Sequence, residues 1–236
     1  MAHIHLVRHG KAAAGFGSHK DPGLDDLGRQ QAEAVAAMLD ARHGTQRPIL
    51  FSSPLARAVE TAQPLAARWQ CEVAIEDRVA EIPSPTDDLA ERAQWLQRAM
   101  QGSWSELAQA SQNWRQALVD ALLAQPSDCI IFSHFVAINA AVGAATQDDR
   151  MRIFAPDNCS VTTLDNSNGQ LRLRPWALLQ RHTSTDSHCG DWREYELSPG
   201  NFIQQPACSH RQRRQYRLAN LRQRCRVIEV RCARTN

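Results

Sequence analysis

Two histidines and two arginines stand where a chain of strands and helices would gather them. Arg8-His9-Gly10 closes the apolar run Ile4-His5-Leu6-Val7, and His134 follows Cys129-Ile130-Ile131-Phe132-Ser133. Arg57 comes shortly after Pro48-Ile49-Leu50-Phe51-Ser52-Ser53. Guanidinium forks match phosphate oxygens two at a time, and a helix N-terminus adds partial positive charge. A neutral imidazole in such a pocket can attack phosphorus and carry the phosphoryl group covalently, while the arginines hold its oxygens. The leaving oxygen still needs a proton. Glu81, in Val79-Ala80-Glu81-Ile82-Pro83, is the best placed carboxyl, acting first as acid and then as base toward water.

These residues need a scaffold that brings strand ends together. Residues 1–186 read as alternating strands and helices, which predicts an α/β fold of three layers, with a mainly parallel central sheet between helices. Sites in such sheets form outside the carboxyl ends of the strands. The expected strands are Ile4–Arg8, Pro48–Phe51, Val73–Ile75 and Cys129–Phe132. Ser160–Leu164 and Leu171–Trp176 should pair as a hairpin across Asn166-Ser167-Asn168-Gly169. A helix at about 25–41 would bury Leu27, Ala34, Val35, Met38 and Leu39, with Asp25 or Asp26 as its cap. Ser53 and Pro54 read as the N-cap and first residue of the next helix, and Pro64 should kink or interrupt it. Two further helices are expected at 86–101 and 103–124, the second opened by a Ser103/Glu106 capping box, then an apolar helix from Phe135 to Ala145.

The sequence resembles the histidine phosphatase superfamily, with its phosphoglycerate-mutase-like fold. The matching pieces are Leu6-Val7-Arg8-His9-Gly10, Leu24-Asp25-Asp26-Leu27-Gly28 with Gln31, the string from Ser52 to Ala62 (SSPLARAVETA), Glu81-Ile82 and Phe132-Ser133-His134. They occur in the family's order over roughly residues 3–180, and each piece needs its own strand context. The resemblance implies His9 as nucleophile, Arg8, Arg57 and His134 as phosphate ligands beside Gly10, and Glu81 as proton donor. It implies no metal and no organic cofactor. Phe135-Val136 replaces the Gly-Gly that often follows the second histidine, and Gly15 stands where mutases usually carry an asparagine. No long insert of the mutase kind is present. These departures favour a phosphomonoesterase, acid phosphatase-like in its chemistry, on a small phosphate ester or phosphoprotein. The alternatives are a mutase-type isomerase and a phosphate-ligand binding module without turnover. A neutral His9 is required, so activity should fall as acid protonates it, unless its neighbours hold the imidazole neutral.

Plainer roles compete for several of these groups. Arg57 could pair with Glu60 or Glu33, His134 could merely end a strand, and Lys11 and His19 belong to a loop at the pocket mouth. The alternation His3, His5, His9 invites a metal reading, but solvated or hydrogen-bonded imidazoles are expected instead.

Composition bounds the rest. The 236 residues are 43% hydrophobic and 22% charged, with net charge +2, an ordinary globular profile. No stretch is long and apolar enough for a membrane span, and no secretory leader is evident. The seven cysteines show no paired zinc-type spacing, so reduced thiols in a cytoplasmic protein are expected, with Cys71, Cys129 and Cys159 buried. Residues 187–236 hold ten Arg against four acidic residues, a balance of +6 that leaves −4 on the rest. They read as an Arg- and Cys-rich, poorly ordered extension. Nucleic acid would have to bind there, but Tyr216 alone is interleaved among the arginines, so a stacking platform is poorly supported. Partners other than a small phosphorylated substrate, and the oligomeric state, leave no mark in the sequence.

Overall fold

The computed structural model describes residues 1–15 and 17–174. The chain divides into Met1–Glu196 and Leu197–Asn236, and every described residue belongs to the first unit. The extension at 187–236 and the last residues of the expected hairpin therefore lie outside the described residues.

Six strands form one mixed sheet in the order β3-β2-β4-β1-β5-β6. They are β1 (His3–Arg8), β2 (Ile49–Ser52), β3 (Ala74–Ile75), β4 (Cys129–Ser133), β5 (Val161–Asp165) and β6 (Arg172–Leu173). The first four pair in parallel, while β5 joins β1, and β6 joins β5, antiparallel. The helices are α1 (Asp26–His43), α2 (Ala56–Trp69), α3 (Leu89–Ala99), α4 (Gln109–Leu123) and α5 (Phe135–Thr146). The fold is the α/β architecture expected from the sequence, a mainly parallel sheet flanked by helices.

Strand alternation explains the layers, because successive side chains point to opposite faces. Ile4 and Leu6 of β1, with Cys129 and Ile131 of β4, face a core completed by Leu118 and Leu122 of α4 and Ala137, Ile138 and Ala141 of α5. Val7, Ile130 and Phe132 face the other way, onto Val35, Ala36 and Leu39 of α1 and Ala58, Ala62 and Leu65 of α2. β4 is buried along its whole length, as a central strand covered on both sides must be. Among the described residues no helix is long and apolar enough to cross a membrane.

Several local expectations are corrected. Asp25 caps α1 through Gly28 N, but Leu27 is 41% exposed, and Gly28, Ala32 and Ala36 share the buried face with Val35 and Leu39. Val35, Ala36 and Leu39 pack with Ala58, Ala62 and Leu65 of α2, while Gly28 lies against the backbone of Lys11. The second helix begins at Ala56, not at Pro54, and Ser53 is not its cap. Pro64 does not interrupt α2, which runs through it to Trp69; the helix is held on both sides of the proline by Ala58, Ala62, Leu65 and Trp69 in the core. The expected helix from Ser103 is split. Glu106 does reach back to Ser103 N at 2.9 Å, but the pair closes only a 3-10 turn, Trp104–Glu106, and α4 starts at Gln109. Burial of Trp104, and the bonds from Trp104 N to the Asp149 carbonyl and from Ser105 N to the Asp149 carboxylate, fix the turn away from the helix axis. Of the three cysteines expected inside, Cys129 is buried, Cys159 is half-buried and Cys71 is exposed, just beyond the end of α2.

Candidate active site

Register brings the two histidines together. Arg8 of β1 lies opposite Ser133 of β4 in the parallel ladder, so the next residues, His9 and His134, leave the sheet side by side. The His9 N–H continues the ladder to the Ser133 carbonyl at 2.9 Å, and Ser53 N–H does the same from β2 to the Phe132 carbonyl at 2.9 Å. The imidazole centroids are 5.1 Å apart. Three strand ends thus converge as the sequence predicts.

The His9 ring is held at both nitrogens. Nδ1–H donates to the Gly10 carbonyl at 2.7 Å, which leaves the lone pair on Nε2. Arg57 Nε–H points at that lone pair from 3.2 Å. Burial drives the imidazole pKa down to about 3, and the positive charges of Arg57 and Arg8 work in the same direction against the Gly10 hydrogen bond. The ring is therefore neutral over the whole physiological range.

Arg57 is buried in the first turn of α2, with Nη1 3.6 Å from Asp21 Oδ1. Asp21 also accepts from Ala56 N at 2.9 Å. Neither Glu60 nor Glu33 is its partner: Glu60 accepts from Leu24 N and Glu33 from Arg68. Arg8 donates through Nη1 to the Pro156 carbonyl at 2.7 Å, with its guanidinium 5.2 Å from the Phe135 ring centre. Phe135, in the place of a glycine, thus supplies a face against which Arg8 lies.

His134 is wholly buried and stands at the N-cap of α5. Its Nε2 lies 2.7 Å from Ser53 Oγ, and its Nδ1 has no hydrogen-bond partner among the described residues. Burial, then Arg57, His9 and Arg8, keep it neutral. Glu81 sits on the same helix end, where Oε2 accepts from Val136 N at 3.3 Å and Oε1 from Ile82 N at 3.0 Å. Burial raises its pKa above the ordinary carboxylate value, opposed by those two amides and by Arg57 and Arg8. The loop carrying it is tied to the sheet by Ser133 Oγ–H donating to the Val79 carbonyl at 2.7 Å.

Gly10 is engaged on both backbone sides. Its carbonyl takes His9, and its N–H donates to Thr61 Oγ at 3.0 Å, while Thr61 donates to the Arg57 carbonyl at 2.6 Å. Thr61 therefore joins the nucleophile's loop to the helix bearing Arg57. A Cβ at Gly10 would stand 2.6 Å from the Gly28 carbonyl oxygen, so only glycine permits this approach. Lys11 N–H reaches Gln31, Lys11 Nζ pairs with Asp25 at 3.0 Å, and Asp25 N–H bonds the Lys11 carbonyl. The Leu24–Gly28 piece with Gln31 is thus the clamp that holds the loop after His9. His19 accepts from Asp21 N, next to Arg57's carboxylate partner.

Five further groups hold the site, none of them given a part in it by the sequence alone. Ser53 and Thr61 lie inside the SSPLARAVETA string, so their positions are legible, though Ser53 reads there as a cap. Asp21, Pro156 and Asn158, which donates to the His9 carbonyl at 2.9 Å, carry no local signal. His5 bonds Thr163 at 2.9 Å, and among the described residues no three His, Cys, Asp or Glu side chains gather as they would around a metal ion.

Comparison with known proteins places the fold and the family. Over 203 residues the chain is 27% identical to the probable phosphoglycerate mutase GpmB of Erwinia tasmaniensis, covering 75% of this chain and 91% of that protein. It is 25% identical over 202 residues to that of Escherichia fergusonii, with the same coverage. Among solved structures it resembles a mycobacterial glucosyl-3-phosphoglycerate phosphatase complexed with VO3 (TM-score 0.55, 21% identity, 75% of this chain and 100% of that one). It also resembles a phosphoserine phosphatase from Entamoeba histolytica (TM-score 0.54, 23% identity, 75% and 97%). The family model for the histidine phosphatase superfamily, branch 1, matches residues 4–179, and the chain belongs to that superfamily.

Proposed function

We propose that the protein is a metal-independent phosphomonoesterase that works through a phosphohistidine on His9. One observation carries this reading: a buried, neutral imidazole whose Nδ1–H is fixed on Gly10 and whose Nε2 faces a buried guanidinium at 3.2 Å. A phosphoryl oxygen replaces Nε2 as Arg57's acceptor, which frees the lone pair as the phosphorus arrives. Nε2 then bonds phosphorus as the ester oxygen leaves. Arg57, Arg8 and His134 hold the three non-bridging oxygens, whose charge must be matched in the transition state. Glu81, whose burial favours its protonated form, gives its proton to the leaving oxygen. As carboxylate it then takes a proton from the water that cleaves the N–P bond. Gly10 acts on the nucleophile rather than on phosphate, because both of its backbone groups are already used.

The substrate is a small phosphorylated molecule, a class supported by curated relatives named as probable phosphoglycerate mutases. A cytoplasmic setting, where its thiols stay reduced, suits it. The test is hydrolysis of an aryl phosphate in excess chelator. Wild type should turn over, and His9→Ala should lose on the order of 10⁴-fold or more of that rate. Activity that survives in His9→Ala, or that vanishes with chelator, overturns the reading. The names of the same relatives favour a second reading, a mutase that keeps its phosphohistidine until a substrate returns. Isomerisation of a phosphoglycerate that depends on bisphosphate priming, and outruns hydrolysis, would establish it instead.

A further inference from the structure

Ser53 is wholly buried, and its hydroxyl has two neighbours, Leu55 N at 3.2 Å and His134 Nε2 at 2.7 Å. The backbone N–H of Leu55 can only donate, so it occupies one of the hydroxyl's lone pairs. The hydroxyl proton is then available for one acceptor, and Nε2 is the acceptor within reach. A neutral imidazole carries one proton, so an Nε2 that accepts forces that proton onto Nδ1. Nδ1 is the ring atom that is buried without a partner among the described residues. The opposite tautomer would fill both lone pairs of Ser53 Oγ with donors, leave the buried hydroxyl proton with no acceptor, and set an Nδ1 lone pair against the oxygens of any bound anion.

We propose that Ser53 is a positioning residue that fixes the tautomer of His134, and so makes Nδ1–H the donor to a phosphoryl oxygen. The inference rests on the phosphate-binding role proposed for His134. Ser53 does not touch the substrate. The bond from Ser53 N to the Phe132 carbonyl at 2.9 Å, and that from Ser52 Oγ to the Ser53 carbonyl at 2.8 Å, fix the Ser53 backbone beside the ring.

The direct test is the ¹⁵N spectrum of histidine-labelled full-length protein, with His134 assigned by its loss in His134→Ala. The expected result is a protonated, pyrrole-type Nδ1 and a pyridine-type Nε2 at neutral pH. A protonated Nε2 overturns the proposal, and this reading requires neither activity nor a variant of Ser53. Removing the hydroxyl in Ser53→Ala should broaden or reverse that pattern and lower kcat toward an aryl phosphate about tenfold. That is less than the hundredfold or more expected when a charge-stabilising donor is removed outright, as in His134→Ala. Ser53→Thr, which keeps the hydroxyl, should restore both the spectrum and the rate. A Ser53→Ala protein with the wild-type tautomer and rate also overturns the proposal. The two readings fail separately: if the wild type neither hydrolyses esters nor binds inorganic phosphate or vanadate, the phosphatase reading falls while the tautomer remains measurable.

Discussion

An imidazole that attacks phosphorus must keep its lone pair, and the surroundings of His9 decide how far into acid it does so. Burial, opposed by the Gly10 hydrogen bond and helped by the Arg57 and Arg8 charges, places its pKa at about 3. The neutral form is lost only as the pH falls through that value, so kcat/KM for an aryl phosphate should hold well below pH 5, provided the fold survives. Acid should silence such an imidazole unless its surroundings keep it neutral, and here burial contributes more than any neighbour. The opposite limb belongs to Glu81. Its pKa is raised, so the proton it must give is present below that pKa and lost as the pH rises through it. Glu81→Gln should therefore flatten the alkaline limb and cost about 10² to 10⁴ for esters with poor leaving groups, but much less for activated aryl esters. Arg57→Ala, which removes the guanidinium 3.2 Å from Nε2, should lower kcat by about 10²- to 10³-fold.

At the scale of elements, stability and site share the same contacts. Gly10 and Gly28 bring the loop after β1 against the start of α1, where a Cβ at Gly28 would collide with the Lys11 carbonyl oxygen. Gly28→Ala should destabilise the fold by about 2 kcal/mol or more, read from urea unfolding, because backbone must move to make room. A second prediction concerns β1 itself. His5 is buried beside His43 and bonded to Thr163, and burial, with Arg42, His43 and His3 opposing protonation and Asp128 favouring it, lowers its pKa to about 4. The unfolded chain binds a proton near pH 6.5, whereas the folded one resists until about 4. The stability this contributes is therefore complete above the unfolded value, and falls by about 3 kcal/mol as the pH drops through that window. His9 adds to the slope with the same sign. His5→Gln should remove its share of the slope in unfolding experiments across pH 7 to 4. Such elements were legible to different depths. β1, β2 and β4 announce themselves because apolar runs end in Arg-His, Ser-Ser and Ser-His, and those ends are the site. Helix starts were less legible, because tertiary contacts outweigh local capping: Ser53 reads as a cap, yet it is spent on His134, 81 residues away. Asn158 and Pro156 left no trace, since a carboxamide or carbonyl that meets His9 or Arg8 across about 150 residues has no local pattern.

For the whole molecule, the residues proposed for chemistry and the 4–179 stretch matched to the superfamily all precede residue 187. A chain ending at residue 186 should keep the aryl phosphatase activity of the full protein, and loss of folding or turnover in it would assign the last fifty residues a part in the catalytic unit. The pairing of β1 with β4 has its own consequence. β4 is apolar on both faces, and β1 meets it with Ile4 and Leu6 on one face and Val7 on the other, so oily contacts alone discriminate weakly between the native alignment and one displaced by two positions, which preserves which side chains face which helices. Such a shift would carry His9 about 7 Å along the neighbouring strand, parting it from His134 while leaving much of the hydrophobic interior filled. A mispaired population would look folded by circular dichroism and be catalytically silent. Titrating active sites, rather than weighing protein, is therefore the measure of how much of a preparation has the right alignment.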